Sequence, residues 1–305
     1  MEVKIVEVGP RDGLQNEKEI LPTQAKIALV EKLAKAGLKR IEASSFVSPR
    51  WIPQLADAEE VLRGIQRREG VVYTALVPNL RGLERARECG LEEVAVFISA
   101  SQTHNQKNIN KLIEETLPVL REVAAQARAN GMRVRGYIST VFGCPYEGRV
   151  PLENTRRIAG EMLEMGVFEI SLGDTIGVAT PKQVVEVCEV LIRDAGAEKL
   201  AAHFHDTRGT GLANVLAALQ AGIRTFDSSI GGLGGCPYAP GAAGNIATED
   251  LVYMLHGMDC ATGIDLALLL EAGIYAQEQL GRELPSKLLK AHLAEKRSGR
   301  EKGGC

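Results

Sequence analysis

The sequence predicts a single (β/α)₈ barrel, and three observations carry that prediction. Short β-rich runs alternate with amphipathic helical stretches across the chain, with no linker, low-complexity tract or internal break. Eight strand candidates recur at a spacing of roughly 32 residues, the length of one βα unit. Polar clusters RDG, SSF, SLGDT and HFHDT each follow a strand, where such a barrel builds its site. A doubly wound open sheet is the alternative. It gathers its polar groups at one switch point, whereas here they follow strands one, two, six, seven and eight.

The first strand is Lys4 to Val8, and the helical stretch PTQAKIALVEKLAKAGL follows, ending near Leu38. Strands two, three and four are Arg40 to Phe46, Val71 to Val77 and Val94 to Ser99. The helix in LIEETLPVLREVAAQARANG leads to strand five, Arg133 to Thr140, and strand six is Phe168 to Leu172. PKQVVEVCEVLIRDAG precedes strand seven, Leu200 to Phe204, and Thr225 to Ser229 is strand eight. In the helices, apolar residues recur at three- and four-residue spacing and the runs stop at Gly or Ala-Gly. Beyond ATEDLVYMLHGM, a helical stretch from Ile264 to Leu280 must pack against or cap the barrel. The expected organisation is one catalytic domain over residues 1–283, with a helical extension from about 260. Residues 284–305, ending KRSGREKGGC, are expected to be a charged, mobile tail.

Composition narrows the function. With 36 Lys+Arg against 39 Asp+Glu, the formal charge of −3 offers no field for gripping phosphate backbones, so nucleic acid is excluded as a partner. No stretch approaches the ~18 consecutive apolar residues of a membrane span, and MEVKIVEVGPRDG lacks a basic-then-apolar leader layout. A cytoplasmic protein is expected. Cys89, Cys144, Cys188, Cys236, Cys260 and Cys305 form no CxxC pair, so free thiols are expected, with Cys305 open to an intersubunit link under oxidising conditions. Aromatics make up only 4% of the chain, which points to aliphatic packing. The 32 glycines concentrate in GGLGGCPYAPGAAGN, from Gly231 to Asn245.

Candidate chemistry sits at the strand ends. His203 and His205 stand two apart at the end of strand seven, so both face the barrel interior. A lone histidine is usually a satisfied core residue, but two of the five in the chain placed together there favour a shared metal ion. No cysteine adjoins them, so imidazole with oxygen ligands suits Mg²⁺ or Mn²⁺. Asp12 after strand one and Asn245 after strand eight are the oxygen candidates. Arg11 and Asp12 in GPRDGLQ read blandly as a turn with a surface charge. With Glu42 ending strand two and Asp174 ending strand six, they make a mouth dense in proton-handling groups. Glu42 and Asp174 fit equally as buried partners of Arg11 or of helix N-termini. The glycine-rich loop lacks both phosphate-binding spacings but carries Cys236, placed to exchange a proton when the loop closes.

Together EVGPRDGLQNEK, IEASSFVSPRWIPQLAD, GCPYEG, ISLGDTIGVATP, HFHDTRGTGLAN and GGLGGCPYAPGAAGNIATEDLVYML resemble the 3-hydroxy-3-methylglutaryl-CoA lyases, from about Val6 to about Met258. The RDG and HxH elements are shared with isopropylmalate and homocitrate synthases, whereas the GGCPYAPG loop is the lyase mark. The resemblance implies divalent-cation-dependent cleavage of an acyl-CoA to acetyl-CoA and acetoacetate, and a homodimer. It implies Asp12, His203, His205 and Asn245 as metal ligands and Cys236, Arg11, Asp174, Glu42 and His203 as catalytic. Gln15, Lys18, Tyr137, Ser171 and Thr175 fall in motifs that line or support the site. Arg208 and Thr210 stand where some animal members carry an aromatic residue and a glutamine. Lys18, Arg50 and Lys107 are basic candidates for the CoA phosphates. An acyl-CoA condensing synthase, a related acyl-CoA lyase and a silent binding barrel are the alternatives.

Overall fold

In the computed structural model, which describes residues 1–235 and 244–302, eight parallel strands close on themselves in sequence order. They are β1 Lys4–Glu7, β2 Arg40–Ser45, β3 Val72–Leu76, β4 Glu93–Ser99, β5 Arg133–Ser139, β6 Glu169–Asp174, β7 Leu200–Phe204 and β8 Thr225–Ser228. The register Lys4↔Thr225 through Glu7↔Ser228 closes the ring. Each predicted strand is present with its ends within two residues.

The helices are α1 Thr23–Lys35, α2 Ala58–Gly64, α3 Leu80–Glu88, α4 Gln102–Ile109, α5 Ile113–Ala129, α6 Leu152–Glu164, α7 Pro181–Ala195, α8 Gly211–Ala221, α9 Thr248–Gly257, α10 Leu266–Leu280 and α11 Lys287–Lys302. Strand alternation divides the barrel's side chains into two populations. Outward residues such as Ile41, Ile138, Ile170, Leu172, Ala202 and Phe226 are buried against the helices in one apolar cluster rich in Val, Leu, Ile and Ala, as the aromatic shortage requires. The inward residues of the floor are charged. Arg40 bonds Glu93 (2.6 Å) and Glu169 (2.8 Å), and Arg135 bonds Glu169 and Asp227 (2.7 Å each). Buried ions persist when they are paired and hydrogen-bonded, and this network pairs each of them across the barrel, with only Arg40 Nε and Glu93 Oε2 left without a hydrogen bond among the described residues.

The segment from residue 284 departs from the charged tail expected of it. Ser286 caps α11 through the Leu289 amide, and Asp250 of α9 accepts from the Ser286 hydroxyl and the amides of Lys287 and Leu288. Leu284 and Leu289 are buried, and the Ser286 amide bonds the Gly231 carbonyl. The chain therefore continues in contact with the barrel past 283, Leu284 and Pro285 packing against Gly231 and Gly232. The Ser cap was present in the sequence, but its partner Asp250 lies 36 residues away. Among the described residues, no helix is long and apolar enough to cross a membrane.

Candidate active site and metal centre

The site begins at the end of β1, where a π-helical turn, Gly9–Gly13, hangs the amides of Arg11, Asp12 and Gly13 on the Val8 carbonyl. Glu7 fixes this turn, accepting from the Gly9 and Ile230 amides (2.8 Å each) and the Thr248 hydroxyl. Turned inward, the Arg11 guanidinium donates to both oxygens of Glu42 at 3.1 Å and to Asp12 at 2.6 Å. The Tyr137 hydroxyl completes the Glu42 carboxylate at 2.7 Å. Burial works against the Arg11 charge, but Glu42 and Asp12 outweigh it and hold its pKa above the ordinary value. Glu42 is thus the third residue of β2, not its last, and of the readings left open the structure selects the buried partner of Arg11.

Asp12 stands between this cation and two imidazoles. One ligand atom from each of Asp12, His203 and His205 lies within 4.8 Å of the others. His203 Nε2 is 3.9 Å from Asp12 Oδ2, which also accepts from Asn245 Nδ2 at 2.7 Å. Burial raises the Asp12 pKa, but Arg11 and the two histidines bring it down to about 2, so the group is an anion at neutral pH. His205 is driven the other way, to about 4, by burial and by its neighbour His203, and is a neutral imidazole. Two buried atoms of this cluster, Asn245 Oδ1 and His205 Nδ1, have no hydrogen-bond partner among the described residues. An anionic carboxylate, a neutral imidazole and an amide oxygen with free lone pairs are what a divalent cation requires. The donor set fits one.

The cluster opens into a cavity of about 800 Å³ at the C-terminal mouth of the barrel. Arg11, Asp12, Gln15, His203 and His205 form its deep end, Leu76, Phe97 and Tyr137 one apolar wall, and Trp51 and Lys107 reach its rim. Gln15 donates to Asp12, and Thr175 lines the wall while accepting from the Thr140 amide. Lys107 lines the cavity, whereas Lys18 and Arg50 are exposed outside its lining.

Two predicted residues are placed differently. Asp174 points out of the barrel and accepts from the Val178 and Ala179 amides, fixing the loop before α7; burial raises its pKa to about 6. Ser171 is fully buried below the cavity and donates to Asp227 at 2.6 Å. Cys236 lies outside the described residues, as does Cys305. Arg208 and Thr210 bond the carbonyls of Ile176, Gly177 and Ala179, tying the β7 and β6 loops together. Sequence reading overlooked Asp227, Arg135 and Glu7. Parity was the available signal for Asp227, which pairs in register with His203 and so shares its inward face.

Glycine has a structural use at the ends of the segment 234–244. Gly234 has φ +120°, and a Cβ on Gly244 would meet the Gly234 carbonyl. The two ends therefore touch, with Asn245 bonded to the Leu233 carbonyl beside them.

These features define a (β/α)₈ barrel with an acidic, imidazole-lined cluster able to hold a cation at the C-terminal face where such barrels build their sites. A family model described as HMGL-like matches residues 2–274. The chain is 54% identical over 287 residues to hydroxymethylglutaryl-CoA lyase YngG of Bacillus subtilis, covering 94% of this chain and 96% of that protein. It is 52% identical over 290 residues to the mitochondrial hydroxymethylglutaryl-CoA lyase of Bos taurus, covering 95% and 89%. The solved structure of an HMG-CoA lyase from Acinetobacter baumannii in complex with coenzyme A and 3-methylmalate superposes with TM-score 0.92 at 43% identity, covering 95% of both chains. The chain belongs to the HMGL-like family, among the hydroxymethylglutaryl-CoA lyases.

Proposed function

We propose that this chain cleaves 3-hydroxy-3-methylglutaryl-CoA to acetyl-CoA and acetoacetate, with Mg²⁺ or Mn²⁺ held by Asp12, His203, His205 and Asn245. The observation that carries this reading is the Asp12–His203–His205 cluster with an Asn245 Oδ1 that has no partner among the described residues, set beside a buried arginine in a cavity at the mouth of the barrel. Its support from relatives is the family membership and the coenzyme A complex of the Acinetobacter baumannii lyase.

Cleavage requires three things of the protein: removal of the tertiary alcohol proton, stabilisation of the thioester enolate, and protonation of the acetyl-CoA carbanion. When bound, the cation supplies Lewis acidity that lowers the pKa of the substrate hydroxyl. Asp12, whose carboxylate keeps a free lone pair while sharing a cation, is assigned to take the proton, with His203 beside it as a ligand rather than the base. Arg11 presents a permanent charge to the developing enolate oxygen, an effect worth ~3 to 4 kcal/mol per donor in comparable sites. Glu42 acts through Arg11, holding the planar guanidinium inward and fixing its orientation while Tyr137 holds Glu42. Asp174, with both oxygens on loop amides, secures the wall that carries Thr175. Cys236, proposed from its GGCPYAPG motif, delivers the proton to the carbanion. A cytoplasmic homodimer is part of the same reading.

The test is acetoacetate release from 3-hydroxy-3-methylglutaryl-CoA with added Mg²⁺, with and without a chelator. Chelator-sensitive release is expected; no acetoacetate under either condition overturns the proposal.

A further inference from the structure

His203 has two ring nitrogens, and only one of them faces the Asp12 carboxylate. The other, Nδ1, lies 3.2 Å from Asp227 Oδ2, whose side chain comes inward from the register-paired position on β8. The Asp227 carboxylate has no freedom to turn away. Arg135 donates to both of its oxygens, at 2.7 and 3.3 Å, and the Ser171 hydroxyl donates to Oδ2 at 2.6 Å. Arg135 is itself anchored to Glu169 and covers the Tyr137 ring at 4.8 Å. Asp227 is buried and does not line the cavity, so it cannot touch a substrate.

A carboxylate held by an arginine is an acceptor only, so the atom facing it on the imidazole must carry a proton. We infer that Asp227 is a positioning residue of the metal centre: it locks His203 with the proton on Nδ1 and the Nε2 lone pair turned toward Asp12, and Ser171 and Arg135 set Asp227 for that task. Ser171, which the sequence placed among the substrate contacts, thereby acts two hydrogen bonds below His203. The inference rests on the cluster being a cation site but not on the identity of the acyl-CoA.

Carboxylate partners of ligating histidines change metal affinity by about 10- to 100-fold when removed. The test titrates Mn²⁺ alone into the purified full chain, by calorimetry or by the loss of the free-ion EPR signal, for wild type, Asp227→Asn and Ser171→Ala. Asp227→Asn is expected to weaken Mn²⁺ binding at least tenfold, and Ser171→Ala, which leaves the arginine clamp intact, a few-fold. Imidazole ¹⁵N spectra of the cation-free chain at alkaline pH are expected to show the His203 proton on Nδ1 in wild type and divided between the nitrogens in Asp227→Asn. If Asp227 serves only to neutralise Arg135, the variant loses stability while its folded fraction keeps wild-type Mn²⁺ affinity and tautomer, and the inference falls. If Asp227→Asn fails to fold, Ser171→Ala decides: unchanged affinity together with an unchanged tautomer overturns the inference. A wild-type chain that takes up no Mn²⁺ overturns the cation site itself and this inference with it.

Discussion

Replacing Glu42 by Gln separates the positioning of Arg11 from its charge. The substitution keeps the shape of a side chain that is wholly buried, yet three donors converge on the carboxylate: Arg11 Nε on Oε1, and Arg11 Nη2 and the Tyr137 hydroxyl on Oε2. An amide in its better orientation keeps the oxygen toward the pair of donors and turns its NH₂ against Arg11 Nε. One charge-assisted bond is lost and a buried donor is stranded, which costs about 1–3 kcal/mol. Loss of the ionic partner brings the total to about 3 kcal/mol, the lower end for breaking a buried pair. Asp12, at 2.6 Å, remains as the only carboxylate on Arg11 and draws the guanidinium toward itself, away from the enolate position. If that displacement is realised in the transition state, kcat/KM falls by roughly 10²-fold at about 1.4 kcal/mol per decade. The assay is initial-rate acetoacetate release across substrate concentrations, with a urea titration to confirm the fold. A properly folded Glu42→Gln enzyme within twofold of wild type would refute the claim that Glu42 works by holding Arg11.

Cys236→Ala is expected to leave Mn²⁺ affinity unchanged and to remove most turnover; full activity in the acetoacetate assay rejects the thiol's role. The second concerns pH. Burial raises Glu7 to about 7 and Glu249 to about 8, against the hydrogen bonds that lower them. Between pH 4.5 and about 8 the folded chain therefore keeps protons that the unfolded chain has released, so stability declines as pH rises through this window. Both Glu249 oxygens accept from the Gly231 amide, so Gln retains an acceptor there. Glu249→Gln is expected to flatten the fall in urea midpoint between pH 5 and 8; a pH profile parallel to wild type contradicts the assignment.

Periodicity exposed the barrel because each βα unit encodes its own strand, turn and helix locally. The Asp12–His203–His205–Asn245 cluster was legible for a related reason: HFHDT puts two imidazoles on one strand face, and Asp12 and Asn245 lie at neighbouring strand ends once the ring is closed. Residues whose role depends on a distant partner were harder. Asp174 looked catalytic because it ends a strand, but strand parity with inward Ser171 turns it outward onto loop amides. Glu42 is decided by an arginine 31 residues away and Ser286 by an aspartate 36 residues away. Asp227, in the unremarked run TFDS, becomes visible only when β8 is laid beside β7 in register.

The charged floor bears on how the barrel assembles. Strands β1 to β4 contain Arg40 with Glu93, and strands β5 to β8 contain Arg135 with Glu169 and Asp227, so each half supplies an ion pair from its own sequence. Two bonds, Arg40 to Glu169 and Tyr137 to Glu42, then stitch one half to the other across separations of 129 and 95 residues. The cation cluster straddles the same seam: Asp12 comes from the first half, and His203, His205 and Asn245 from the second. A cation held there recognises only joined halves and stabilises their union by mass action. The residues that would hold a cation for catalysis are thus the same ones that meet only when the two half-barrels join.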